Sequence, residues 1–348
     1  MRKIKIGNKL IDEGKPCFII AEAGVNHNGS LKLAKKLINV AKATGVDAVK
    51  FQTFKTEGVM TENVPMAKYQ KKNIGKTETQ FQMVKRLELP FEDFIILKKY
   101  CDKKGIIFLS TPHSEDAIDF LEPLVPAYKI GSGDLTNLPF LEKIAKKRKP
   151  IILSTGMATL GEVEEAVNTI KKEGNNKIIL LHCTTNYPCP LEEVNLRAME
   201  TLKKEFDLPV GYSDHTLGIT VPIMAVTLGA TVLEKHFTLD KNLPGPDHKG
   251  SLEPEELRKM VKALRGAEKA LGSNIKKPTK IERKNIKVSR KSILARIDIP
   301  KGLKITEEML VIKRPGSGIK PKYLKKVIGK ISKKNIKKDE LIKFSNLR

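Results

Sequence analysis

The sequence predicts a closed (β/α)₈ barrel of the TIM type followed by a small β-rich domain. Three observations carry that expectation. Short β-branched apolar runs alternate with longer segments of helical period from the N-terminus to Leu271, the pattern of repeated βα units around a parallel sheet. Nearly every one of those runs ends in polar or ionisable residues. Past Leu271 the composition changes to Lys277-Pro278-Thr279-Lys280 and a basic stretch, the mark of an exposed connection between domains.

Eight runs read as strands: Phe18 to Ala23, Ala48 to Gln52, Ile106 to Ser110, Ala127 to Ile130, Ile151 to Thr155, Ile178 to His182, Val210 to Tyr212 and Thr231 to His236. Helical period fills Leu31 to Ala43, Phe91 to Lys103, Leu138 to Ala145, Gly161 to Lys172, Asn195 to Lys204, Gly218 to Leu228 and Pro254 to Leu271. Ser30 stands where the first helix needs its N-cap. A doubly wound open sheet is the alternative, but Ala21-Glu22-Ala23-Gly24-Val25-Asn26-His27-Asn28-Gly29 holds no G-x-G-x-x-G to cradle a phosphate. The expected boundaries are a barrel over 1–273, a linker over 274–286 and a second domain over 287–348. In the last, Ser292-Ile293-Leu294-Ala295, Leu310-Val311-Ile312 and Val327-Ile328-Gly329 are short runs parted by Pro/Gly turns.

The chain has 348 residues, 40% of them hydrophobic, enough to bury a large core. Its net charge of +25 first suggests a nucleic acid or an anionic surface as partner. Position argues otherwise. Residues 275–348 hold 24 Lys+Arg against 6 Asp+Glu, net +18, which leaves 41 against 34, net +7, for everything before them. Aromatics are 5% and Trp is absent, so a base-stacking platform has little to be built from. Cys17, Cys101, Cys183 and Cys189 show no C-x-x-C spacing, which implies reduced thiols and a cytoplasmic protein. Met1 to Pro16 lacks the apolar core of a signal peptide, and no stretch approaches the roughly 20 apolar residues of a membrane span.

In a barrel the C-terminal strand ends converge on one rim, where such folds build active sites. That rim would collect Glu22, Lys50, Gln52, Thr111, Lys129, Ser132, Asp134, Ser154, Tyr187, Ser213, His215 and His236. Lys50 and Lys129 sit between apolar neighbours (V-K-F and Y-K-I), so their ammonium groups point into the barrel mouth and need an anion there. With the hydroxyls of Thr111, Ser132, Ser154 and Ser213 they suit a phosphate and a carboxylate. His215 and His236 end adjacent strands, and two neutral imidazoles suit a divalent first-row metal with open positions. A class I aldolase, with Lys50, Lys129 or Lys235 as Schiff-base amine, is the enzymatic alternative.

The runs A-E-A-G-V-N-H-N-G (21–29), K-F-Q (50–52), S-T-P (110–112), K-I-G-S-G-D (129–134), S-T-G-M (154–157), G-Y-S-D-H-T (211–216), E-K-H-F-T (234–238), G-P-D-H (245–248) and K-R-P-G-S-G-I (313–319) resemble the sialic acid synthases. These are the N-acetylneuraminate and N,N'-diacetyllegionaminate synthases, which end in an antifreeze-like (SAF, β-clip) domain. The resemblance implies condensation of phosphoenolpyruvate with an N-acetylmannosamine-type aldose to a nine-carbon 2-keto-3-deoxy sugar acid. It implies that Lys50, Thr111, Lys129, Ser132, Ser154, Thr185 and Ser213 hold phosphoenolpyruvate. His215 and His236 would hold a divalent metal, Mn²⁺ before Mg²⁺ or Co²⁺. Glu22 is then the catalytic carboxylate, and Gln52, Asp134, Tyr187 and Asp247 meet the sugar. Asp134 replaces a Glu frequent in the family, and Asn186 is an alternative to Thr185. Arg314 would reach the partner subunit's sugar site, which implies a domain-swapped homodimer.

Overall fold

The computed structural model describes residues 3–75 and 78–348, without the side chain of Lys72. The chain divides into two compact units, Met1–Gly272 and Ser273–Arg348.

The first unit opens with an antiparallel hairpin, β1 (Ile4–Ile6) and β2 (Lys9–Ile11). Eight strands follow: β3 (Phe18–Gly24), β4 (Ala48–Thr53), β5 (Ile107–Pro112), β6 (Tyr128–Ile130), β7 (Ile151–Ser154), β8 (Ile178–Cys183), β9 (Val210–Asp214) and β10 (Val232–His236). Their ladders are parallel, in the order β5-β4-β3-β10-β9-β8-β7-β6, and β5 lies beside β6 to close the barrel. All eight expected strands are present, each within two residues of the expected ends. The helices of this unit are α1 (Leu31–Thr44), α2 (Lys68–Ile74), α3 (Gln80–Lys85), α4 (Phe91–Lys104), α5 (Glu115–Leu121), α6 (Leu138–Lys146), α7 (Leu160–Lys172), α8 (Ala198–Phe206), α9 (Thr220–Thr227) and α10 (Pro254–Leu271). Ser30 caps α1 as expected, its side chain accepting from the Leu33 amide, and Gly45 ends that helix in the left-handed region.

Strand alternation sorts the side chains into two cores. Outward residues such as Ile19, Val49, Phe108, Tyr128, Leu153, Tyr212 and Leu233 pack under the helices. Inward residues Phe18, Ile20, Ala48, Leu109, Ala127, Ile152, Ile179, Leu181 and Val232 fill the lower barrel together with Ile4, Ile6 and Ile11 of the hairpin. The hairpin, which the sequence reading did not anticipate, therefore stoppers the barrel floor. Gly211 is required where two strands crowd, because a Cβ there would lie 2.2 Å from the Val232 carbonyl oxygen.

In the second unit, α11 (Lys280–Ser289) begins with a Thr279/Glu282 capping box, within the stretch read as linker from sequence. Antiparallel strands β11 (Ser292–Ala295) and β12 (Leu310–Lys313), single bridges and the short α12 (Leu324–Val327) enclose a core of Ile293, Ile299, Ile305, Leu310, Val327, Ile336 and Ile342. Among the described residues no helix is long and apolar enough to cross a membrane.

Candidate active site

One position above the apolar filling, each of the eight strands turns a polar side chain inward. These are Glu22, Lys50, Thr111, Lys129, Ser154, Cys183, Ser213 and Glu234, and all line one cavity of about 280 Å³ at the C-terminal mouth. Seven lie two residues beyond an inward core residue, as in Ile20/Glu22, Ala48/Lys50 and Val232/Glu234, and Ser213 lies two beyond Gly211, so strand period alone delivers the ring.

The ring is an alternating charge network. Lys50 Nζ lies 2.8 Å from Glu22 Oε2 and 3.8 Å from Glu234 Oε1, and donates to Thr111 Oγ1 at 2.8 Å. Lys129 Nζ lies 3.6 Å from the same Glu234 oxygen and donates to Ser154 Oγ at 2.7 Å. Ser213 donates to Glu234 Oε1 at 3.3 Å, and Gln52 Nε2 donates to Glu22 Oε1 at 3.1 Å. All four charged residues of the ring are at most 4% exposed. Burial penalises each charge and the partners resist it unequally. Burial outweighs Lys50 at Glu22 and pushes that carboxyl up to about 7. At Glu234 burial is overcome by Lys129 and Lys50, which hold the carboxyl below its usual range. Burial lowers the Lys129 amine despite Glu234. With Glu22 partly protonated near neutrality, the two ammonium groups face only one full carboxylate.

Above the ring stand the imidazoles. His215 and His236 have ring centroids 5.5 Å apart, and Tyr187 lies 3.9 Å from the first and 5.3 Å from the second. His215 Nδ1 contacts the Thr184 carbonyl at 2.7 Å, which makes it the protonated nitrogen and leaves Nε2 free. His236 Nδ1 is buried without a hydrogen-bond partner, 4.0 Å from Asp247 Oδ2. Burial, with the nearby Lys50, Lys235 and Lys129 adding to it, keeps His236 neutral, well below its ordinary value, while burial pushes Asp247 up to about 6. Among the described residues no group of three or more His, Cys, Asp or Glu is arranged as a ligand set. A buried, neutral, unpartnered imidazole nitrogen beside a second free one is nevertheless a donor pair that accommodates a divalent ion with open positions.

The cavity gathers thirteen of the residues singled out from sequence: Glu22, Lys50, Gln52, Thr111, Lys129, Ser132, Ser154, Thr185, Tyr187, Ser213, His215, His236 and Asp247. Thr185, not Asn186, faces it; the Asn186 amide donates instead to the Pro188 carbonyl at 2.8 Å. Gly156 allows this close packing, since a Cβ there would lie 2.5 Å from Thr185 Oγ1 and 2.7 Å from Ser132 Oγ. Asp134 is not on the cavity wall; its Oδ2 lies 3.3 Å from His113 Nδ1, and His113 takes the lining position. Arg314 belongs to the second unit, exposed, with Nε donating to the Ser289 carbonyl at 3.1 Å. Lys235 is turned out of the barrel and is fully buried against Asp214, which removes it from the Schiff-base candidates. Glu234 and Cys183 are members of the ring that sequence reasoning passed over. Counting by two from Val232 and Leu181 would have placed both inward.

The loop after β3 and the segment between β4 and α4 supply an apolar wall of the same cavity. Val25, Phe54, Met83 and Leu87 pack on Met66, and with Val59, Met60 and Val84 they line the cavity. Tyr69 of α2 packs against Tyr187 in a tilted ring pair at 5.2 Å, joining that wall to the imidazoles.

Residues 37–276 match the model of the NeuB family, and residues 290–348 match that of the SAF domain. An N,N'-diacetyllegionaminic acid synthase of Campylobacter jejuni is 52% identical over 94% of this chain and 99% of its own. A human N-acetylneuraminate-9-phosphate synthase is 39% identical over 94% of this chain and 91% of its own. The crystal structure of an N-acetylneuraminic acid synthetase from Leptospira borgpetersenii, 37% identical, superposes with a TM-score of 0.72 over 82% of this chain and 95% of its own. With the family model spanning most of the barrel and relatives of this identity covering nearly the whole length, the chain belongs to the NeuB family and carries that family's barrel ahead of a SAF domain.

Proposed function

We propose that this protein condenses phosphoenolpyruvate with an N-acetylated mannosamine-type aldose and water, giving a nine-carbon 2-keto-3-deoxy sugar acid and inorganic phosphate. The observation that carries the reading is the inward ring, with two buried lysines and the hydroxyls of Thr111, Ser154 and Ser213 around one cavity. Such donors suit a small molecule bearing both phosphate and carboxylate. The relatives named as synthases of N,N'-diacetyllegionaminic acid support it.

Phosphoenolpyruvate lies over Lys50 and Lys129, with Thr111, Ser132, Ser154, Thr185 and Ser213 completing its hydrogen bonds. Its C3 attacks the open-chain aldehyde carbon, whose oxygen takes up a proton to become the C4 hydroxyl; water adds to the cationic C2 that results, and the C2–O bond to phosphate breaks as the new C2 hydroxyl gives up its proton to the departing phosphate and becomes the ketone. Glu22, partly protonated near neutrality, accepts the proton of that water. His215 through Nε2 and His236 through Nδ1 would hold a divalent ion, Mn²⁺ before Mg²⁺ or Co²⁺. Once bound, such an ion supplies Lewis-acid polarisation of the aldehyde oxygen. Gln52, Tyr187 and Asp247 meet the sugar hydroxyls and acetamido group, with Asp134 acting through His113. The lowered Lys129 amine is also what a Schiff-base lyase requires, and borohydride trapping with pyruvate would reveal one.

The apolar wall of Val59, Met60, Met83 and Val84 favours an aldose carrying acyl and deoxy groups. A panel of N-acetylmannosamine, its 6-phosphate and 2,4-diacetamido-2,4,6-trideoxymannose, each with phosphoenolpyruvate and Mn²⁺, tests this by phosphate release. The diacetamido sugar is expected to turn over best; preference for the 6-phosphate would overturn the assignment.

The assembly on this reading is a homodimer in which Arg314 of one subunit closes the sugar site of the other. Met157, Leu191 and Leu217, on the loops after β7, β8 and β9, stand 60–71% exposed at the same rim and offer an apolar seat for a partner. All four cysteines are free and buried, in keeping with a cytoplasmic location.

A further inference from the structure

We infer that Asp214, Thr216 and Lys235 form a brace behind the barrel wall that fixes His215 beside His236, which makes Lys235 a positioning residue for metal uptake. The inference rests on the reading that these two imidazoles hold a divalent ion.

Asp214 and Lys235 are paired across the β9–β10 ladder and point outward, both side chains 0% exposed. The next residue on each side, His215 and His236, points into the cavity. The β9–β10 ladder ends at the Asp214–Lys235 pair, and β9 itself ends at Asp214. No ladder bond therefore holds His215 to the strand that bears His236. Side chains take over that task. Lys235 Nζ donates to Asp214 Oδ2 at 2.5 Å and also to the Thr216 carbonyl oxygen. Asp214 Oδ1 accepts from the Thr216 amide at 3.0 Å, and Asp214 Oδ2 accepts from the Thr216 hydroxyl at 3.2 Å. Lys235, whose chain neighbour is His236, thus grips the residues on both sides of His215. Since Asp214, Thr216 and Lys235 are all at most 1% exposed, water cannot substitute for any of these bonds.

The two faces divide the work. From the cavity side, the Thr184 carbonyl sets the ring of His215 by holding Nδ1, while from behind the brace sets where its backbone stands. Lys235 does not line the cavity, so its effect on the chemistry passes through the histidines.

The test is made on the full-length protein. Asp214→Asn with Lys235→Met removes the cross-strand tie while leaving no buried charge unpaired, and Asn retains an acceptor for the Thr216 amide. Mn²⁺ is titrated in, free Mn²⁺ is read by electron paramagnetic resonance, and thermal unfolding reports the fold. The expected result is cooperative unfolding with Mn²⁺ affinity weakened about tenfold to a hundredfold, and a phosphoenolpyruvate KM close to that of the wild type. Wild-type Mn²⁺ affinity in the folded double variant would overturn the inference. If that variant does not fold, Lys235→Gln, which keeps one donor to Asp214, decides by the same criterion. Failure of the wild-type protein to take up Mn²⁺ would sink the metal reading itself and this inference with it, an outcome distinct from equal uptake by both proteins.

Discussion

Lys129 Nζ lies 3.6 Å from Glu234 Oε1 across the interior of the barrel, although three strands separate β6 from β10 in the sheet. Glu234 also faces Lys50, so one carboxylate oxygen ties opposite walls of the same ring. Removing one partner of a buried ion pair leaves the other charge uncompensated, at a cost of roughly 3–5 kcal/mol. Lys129→Met is therefore expected to lower stability by about 3 kcal/mol and to raise the KM for phosphoenolpyruvate at least tenfold. Thermal unfolding and a phosphate-release assay read the two effects; an unchanged KM would remove Lys129 from the anion site.

The Glu22 carboxyl sets a pH dependence. Its folded value of about 7 lies above its ordinary 4.5, because burial, with repulsion from Glu234, outweighs the opposing pull of Lys50 and of the hydrogen bond from Gln52. Between those values the folded protein keeps a proton that the unfolded chain has released. Its stabilisation is complete below pH 4.5 and is lost as the pH rises towards about 7. Unfolding free energies measured in urea across that interval should fall less steeply for Glu22→Gln than for the wild type. Parallel slopes would contradict the assignment.

Gly211→Ala would set a methyl group 2.2 Å from the Val232 carbonyl oxygen and 2.7 Å from Leu181. Because the obstacle is backbone in the barrel wall, the expected loss is about 3 kcal/mol or more, with poor soluble yield. Normal yield and melting temperature would show that the wall can spread.

The barrel floor separates stability from catalysis. Ile6 of the hairpin is 0% exposed and packs at the opposite end from the cavity. Ile6→Ala should cost about 2–5 kcal/mol while leaving kcat at wild-type level well below the melting temperature. Circular dichroism melts paired with steady-state rates check both halves.

Deleting residues 280–348 should abolish condensation while the barrel still unfolds cooperatively, since the sugar site on this reading borrows Arg314 from a second subunit. Full activity in the truncated protein would exclude that role.

Strand phase made most of this architecture legible. Every inward ring residue follows from counting by two, and Lys50 and Lys129 betray themselves as single charges inside apolar runs. The same rule reaches Glu234 and turns Lys235 away, but E-K-H offers three ionisable side chains in a row, and the middle one draws the eye. The hairpin escaped because its two strands are three residues each, too short for an alternation to register. The apolar wall escaped because Met66, Met83 and Leu87 recur with neither helical nor strand period; they meet only through tertiary folding. The helix Lys280–Ser289 did have a local signal, Thr279 followed three residues later by Glu282, obscured by the lysines around it.

Stoppering one end of the barrel makes the cavity a blind shaft. Among the described residues the floor is closed by the hairpin, and the two lysines sit in the cavity beneath the imidazoles and Tyr187. On the proposed reading, with phosphoenolpyruvate on the lysines and the sugar above it, a sugar seated first would block the way down, so phosphoenolpyruvate is expected to enter ahead of the aldose and phosphate to leave after the sugar acid. The floor hairpin, packed at the end of the barrel remote from the ring, would on that reading set the sequence of arrivals and departures.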